Sequence, residues 1–155
     1  ICDEYESFSA KKDDVSSSKS FLDKNYIKDL KLIYPEKLES GDLFKLEILI
    51  NSSKNIKTAI IAISFFNLAG QNVIANNTKE TDFNINLKKG KNKFIVQYDN
   101  LILNRGSYYL NVTVSGEHIN TQYAAMVNIN KLEISSKSDL YGAGLVRLKP
   151  KWFKG

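Results

Sequence analysis

The chain has 155 residues, of which 43% are hydrophobic and 25% charged, enough apolar material for one domain with a real core. No apolar run approaches the roughly 18 residues that a membrane-crossing helix requires. The net charge is +5, but residues 1–23 hold six acids and three lysines, leaving 19 basic and 11 acidic side chains, +8, on the remainder. Twenty of the 22 basic residues are lysines scattered along the chain, so composition argues against a nucleic-acid-binding stripe.

Residues 1–24 are polar, Ser-rich and unpatterned, and read as a linker or disordered arm; residues 25–155 read as the folded domain. The opening Ile1, with no apolar leader behind it, suggests a fragment of a larger protein. The single Cys2 lies in the arm, so no disulfide staples the fold. From Tyr26 onward the hydrophobic period is two. "YIKDLKLIYP" runs as a strand to Pro35, which cannot donate to a ladder. "ESGDLF" turns the chain, and Leu43 to Ile50 alternates in part. Thr58 to Phe66 is apolar on both faces and rich in β-branched residues, as a central strand should be. "LAGQN" is a turn and "VIANNT" the returning strand, with Asn77 and Thr78 placed to cap backbone groups.

"DFNINL" predicts a strand with Phe83, Ile85 and Leu87 on one side. Gly90 supplies a turn with positive φ, and "KFIVQY" places Phe94, Val96 and Tyr98 in phase. In "GSYYLNVTVS" the period of two puts Tyr108 with Leu110, Val112 and Val114 on the core side. Tyr109, Asn111 and Thr113 then face outward. Tyr108 follows a turn at a strand start, the position of a tyrosine corner, whose hydroxyl bonds back to upstream backbone. Gln122 to Ile134 is long enough to be bent or bulged, and "GLVRLKPKW" closes the chain. About nine short strands with turns every 8 to 12 residues and no helical period predict an all-β, immunoglobulin-like antiparallel β-sandwich.

Signatures of chemistry are missing. There is no G-x-S-x-G elbow, no phosphate loop and no H-E-x-x-H. The lone His118 sits in the turn-like "SGEHIN", and no His/Cys group has metal-ligand spacing. The acids Asp82, Asp99 and Glu117 fall at strand ends, as they would on any sandwich. The sequence therefore predicts a non-catalytic domain with no cofactor and no metal. Three glycosylation sequons, at Asn51, Asn76 and Asn111, are about what 16 asparagines supply by chance. What remains is a surface rich in Asn, Thr, Ser, Gln and Tyr. Such amides and hydroxyls pair with sugar hydroxyls, and aromatic rings cover pyranose faces. The outward candidates for carbohydrate binding are Tyr109, Asn111 and Thr113, with Gln122 and Tyr123 on the neighbouring strand and Trp152 on the closing one.

Four stretches, "SGDLFKLEILIN", "ISFFNLAGQNVIANNT", "LKKGKNKFIVQYDNLILNRGSYYLNVTV" and "GLVRLKPKW", occur in this order between Tyr26 and Trp152. Together they resemble the C-terminal domain of the Wzt-type ATPase subunit of ABC transporters that export O-antigen polysaccharide. Most characteristic are Gly70, Val73, Asn77 and Thr78 in one run, and the L-x-x-G-x-Y strand start at Leu103, Gly106 and Tyr108. The resemblance implies an immunoglobulin-like sandwich that binds the non-reducing end of a lipid-linked glycan without catalysis. It implies a homodimer that can exchange its last strand, with Gly142 and Gly144 as a hinge. The implied partners are its own nucleotide-binding domain and the transporter membrane subunit, and no nucleic acid. The implied location is cytoplasmic, peripheral to the inner membrane. The competing expectation is an extracellular or periplasmic adhesion module that binds protein.

Overall fold

A computed structural model describes residues 18–117, 121–136 and 153. Its ten strands are β1 (Lys19–Leu22), β2 (Ile27–Ile33), β3 (Lys37–Glu39), β4 (Phe44–Ser52), β5 (Ile56–Asn67), β6 (Asn72–Asn77), β7 (Ile85–Leu87), β8 (Gly90–Tyr98), β9 (Gly106–Ser115) and β10 (Gln122–Ser135). The larger sheet runs β1-β10-β9-β5-β6, with β3 on β10 and β7 on β5; the smaller runs β2-β4-β8. Every pairing is antiparallel except β3 on β10, which is parallel. This is the all-β sandwich that the alternation predicts, with two short strands, β1 and β3, that the alternation does not show.

The first of these is β1. It lies inside the stretch read as an arm, so the sheet begins at Lys19 rather than after residue 24. Four residues with two hydrophobics, Phe21 and Leu22, are too short a pattern to stand out against polar flanks; pairing with Ala124 to Val127 makes the strand. The stretch around Pro35 does more than end β2. Without an N–H to give, it lets the chain leave the smaller sheet, and two residues later β3 joins the larger one.

The alternation of β4 is complete: Phe44, Leu46, Ile48, Ile50 and Ser52 are all buried. They meet the inward side chains of the other sheet, among them Ile61, Ile63, Phe65, Leu110, Val112 and Val114. Phe44 and Phe65 pack edge to face, 5.7 Å between centroids, and join the layers at mid-sandwich. Tyr108 is 5% exposed, and its hydroxyl donates to the Asn104 carbonyl at 2.7 Å, so the tyrosine corner is present. The one misplaced core residue is Phe83. It stands outside β7, 57% exposed, while Ile85 and Leu87 are buried as expected. Asp82, with φ 52, twists the chain just before it and breaks the alternation.

β10 carries two register shifts against β9, between Gln122 and Ala124 and between Met126 and Asn130. The second contains Asn128 at φ 55. Bulges of this kind leave a backbone N–H without a ladder partner, and a side chain must take it.

Candidate functional site

The outer face of the larger sheet was the expected wall. Tyr109 stands there opposite Phe66 and Lys131, and Thr113 opposite Ala62 and Ala125. Gln122 is exposed opposite Ser115. These three therefore share one face. Asn111 points the same way but is only 6% exposed, because its Oδ1 accepts the Asn128 N–H at 2.8 Å. It supplies the acceptor that the bulge needs, which makes it a structural residue rather than an open contact. Tyr123 is removed from the wall as well. The first register shift turns its ring to the end of the sandwich, where it stacks on Tyr26 at 4.2 Å and 15°. Tyr26 is covered on its other side by Lys54 Nζ, 3.9 Å from the ring centroid. Trp152, His118, the closing strand and the Gly142/Gly144 pair lie outside the described residues.

A concave site lies elsewhere. β6 ends one sheet and β8 ends the other, and between them runs a groove of about 340 Å³. Its apolar floor includes Ile48, Ile61, Ile63 and Ile85. Phe94 and Tyr98 from β8 line one side, Asn76 and Asn77 from β6 the other, and Thr78, Thr81 and Phe83 complete the lining. Gln97 sits at the rim. None of the lining residues is charged. Concave, mostly apolar sites with a few placed polar groups are where small ligands bind.

The polar wall is held by the chain that makes it. A hairpin with Gly70 at φ 81 returns β6 along β5, and Asn67 clamps Gln71 through both backbone and side chain. Beyond β6 the chain folds into a tight turn. Asn77 Oδ1 accepts the Glu80 N–H at 2.9 Å, and Thr78 Oγ1 accepts the Ile61 N–H at 3.1 Å. The Thr81 hydroxyl lies 3.3 Å from the carbonyls of both Asn77 and Thr78. The capping roles expected for Asn77 and Thr78 are therefore filled. Across the groove, the Tyr98 hydroxyl donates to Asn76 Oδ1 at 2.8 Å and ties the two sheets together. Burial raises the Tyr98 phenol above its ordinary pKa. The ring lies edge-on to Phe65 at 5.9 Å, so its position is fixed by the core.

The sequence reading singled out Asn77, Thr78 and Tyr98 for structure and overlooked Asn76, Thr81, Phe83 and Gln97 as a site. The signal was weak but present: "NNTKETDF" concentrates amides and hydroxyls where a strand stops.

Among the described residues, no three His, Cys, Asp or Glu come together to hold a metal ion. No helix among them is long and apolar enough to cross a membrane.

The chain matches the family of Wzt C-terminal domains over residues 22–148. It belongs to that family. Its fold is similar to the crystal structure of the C-terminal domain of Wzt, with a TM-score of 0.72 at 14% identity, over 90% of this chain and 89% of that one. A more distant likeness is the CARDB domain of a Pyrococcus furiosus protein crystallised with di-metal ions, with a TM-score of 0.44 at 12% identity, over 71% of this chain and 94% of that one. A search of curated proteins found no match.

Proposed function

We propose that this is a non-catalytic carbohydrate-binding domain that recognises the non-reducing end of a lipid-linked O-antigen polysaccharide before export by an ABC transporter. In that role it follows a nucleotide-binding domain in one polypeptide, works as a homodimer at the cytoplasmic side of the inner membrane, and contacts the transporter membrane subunit. Membership of the Wzt C-terminal domain family supports the setting. The observation that carries the binding role is the β6–β8 groove, an uncharged recess with six amide or hydroxyl side chains around aromatic rings.

The chemistry suits an end better than a repeat. A recess between two sheet edges takes in a single terminal residue more readily than an internal one, which carries chain on both sides. Each net hydrogen bond contributes about 1 kcal/mol, so a handful of them gives affinities of about micromolar to millimolar. Weak contact at a chain end is enough for a completion checkpoint, because only a finished chain presents the end group. Tyr109, Thr113 and Gln122, on the outer face, offer a second surface along which the polymer can lie.

Retention of capped against uncapped polysaccharide on the immobilised domain tests this. Capped chains should be held and uncapped ones washed through. Asn76→Ala combined with Tyr98→Phe should abolish retention at unchanged secondary structure, and Tyr109→Ala should weaken it only mildly. Equal retention of both polymers removes end recognition. Loss with Tyr109→Ala but not with the groove variant moves the site to the outer face. Specific capture of a protein with no retention of glycan would favour an adhesion module.

A further inference from the structure

We infer that the groove selects a saccharide residue bearing an acetyl group, an inference that rests on the carbohydrate reading of this site. The preference follows from which hydrogen-bonding atoms of the groove are still free. On the β6 side each inward side-chain oxygen already holds one donor: Asn76 Oδ1 the Tyr98 proton and Thr78 Oγ1 the Ile61 N–H. Left over are donors: the two N–H groups of Asn76, which lies opposite the inward Ile63, and the Thr78 hydroxyl proton. Among the described residues none of these has an acceptor.

A wall of spare donors has a definite preference. An ordinary sugar hydroxyl both donates and accepts, and placed here its own proton must share an oxygen that already holds a donor. A group that only accepts, such as an amide or ester carbonyl, meets the free donors and asks for no acceptor in return. The rest of the recess has the complementary character. Ile61, Ile63 and Phe94 form an apolar surface within reach of the same wall, suited to a methyl group. A carbonyl joined to a methyl is an acetyl group, carried on a sugar as an amide or as an ester. A carboxylate or phosphate would also only accept. No lysine or arginine lines the groove to neutralise it, and taking an unpaired charge from water is costly. The +8 of the chain beyond residue 23 is therefore not directed at this ligand.

The test is a chemical-shift titration of the isotopically labelled chain with five monosaccharides: N-acetylglucosamine, N-acetylgalactosamine, 6-O-acetylglucose, glucose and glucosamine. The expected result is that an acetylated sugar shifts resonances of Asn76, Asn77, Thr78 and Phe94 at millimolar concentration, at least fivefold more tightly than glucose or glucosamine. Preference for the amide or for the ester then identifies the linkage. Asn76→Asp, which exchanges the donor for an anion, should weaken the acetylated sugar about tenfold while the spectrum stays dispersed. Equal affinity for acetylated and plain sugars overturns the acetyl inference and leaves the carbohydrate reading standing. Unchanged affinity in Asn76→Asp overturns the donor assignment. Shifts confined to Tyr109 and Thr113, or none with any sugar, overturn both.

Discussion

The two lateral sides of this sandwich are built to opposite ends. On the side where β2 meets β10 and β1, the sheets are sewn together. The Tyr34 hydroxyl donates to the Lys131 carbonyl at 2.8 Å. Within the smaller sheet the Ser53 N–H and the Ser52 hydroxyl both reach the Tyr26 carbonyl and the Ser53 hydroxyl that of Lys24, which fixes the chain entering β2 against the end of β4. The Lys54–Tyr26–Tyr123 stack covers the seam. On the other side β6 and β8 stand apart, and the Tyr98–Asn76 bond crosses the gap. The difference teaches where stability resides and where a ligand can enter. A closed seam excludes water from the core, and an open one leaves polar groups free to bind something else.

Phe44 belongs to both sides, since its ring touches Tyr34 toward the closed seam and Tyr98 toward the open one. Phe44→Ala should therefore cause the largest loss, about 3–5 kcal/mol in urea unfolding. It should also lower glycan affinity by loosening Tyr98. The seam alone is addressed by Tyr26→Ala, which removes a stacked ring and a cation–π contact and should cost about 2 kcal/mol while glycan binding stays unchanged. Gly116→Ala approaches the same stack from behind. A Cβ there would lie 2.5 Å from the Tyr123 hydroxyl, so the ring must shift, with a cost of about 1–2 kcal/mol. A loss of glycan binding in either seam variant would show that the two sides are not independent.

Alkali separates the sides by titration. Burial raises the phenols of Tyr34, Tyr98, Tyr108 and Tyr123; Glu36 adds to the first, and Tyr26 and Asp23 add to the last. A raised folded-state pKa means that the native state holds the proton more tightly than the unfolded chain does. The associated stability is complete below a pH of about 10 and is lost as pH rises through the folded-state values. Melting temperature should thus fall in alkali. Tyr34→Phe should blunt the fall, and an unchanged slope would deny Tyr34 its part in the seam.

How far the sequence could reveal this depends on the range of the interactions. Periodicity is local, so the inward sets of β8 and β9, the turn at Gly90 and the corner at Tyr108 are legible, while β5, apolar on both faces, shows no phase. Wherever a side chain answers a backbone group far along the chain, alternation misleads. Asn111 looked like a surface amide because nothing near it foretells that Asn128, 17 residues away, adopts positive φ. Thr58 is similar: a β-branched residue at φ 58, its N–H accepted by Asn86 Oδ1. The groove was invisible for a related reason. It exists only where the last strand of one sheet faces the last strand of the other, and topology, not any short stretch, brings Asn76 and Tyr98 together.

The smallest change that tests the comparison removes one oxygen atom. Tyr98→Phe keeps the ring and its edge-on contact with Phe65, so the aromatic core is undisturbed. It deletes the bond that crosses the open side. The stability cost should be about 1 kcal/mol or less, because the partner, Asn76, is exposed and water can replace the lost proton. Binding should respond differently. With the Tyr98 proton gone, Asn76 Oδ1 becomes free, its amide can turn over, and the wall no longer presents donors in a fixed pattern. Affinity should drop about fivefold, the equivalent of one net hydrogen bond. Acetylated and plain sugars should become harder to tell apart. Tyr108→Phe is the matched control: it also deletes one hydroxyl and one hydrogen bond, of 2.7 Å against 2.8 Å, but at the corner, and it should leave both affinity and preference untouched. If the two variants behave alike toward glycan, the open side has no special standing and the groove is only a gap in the packing.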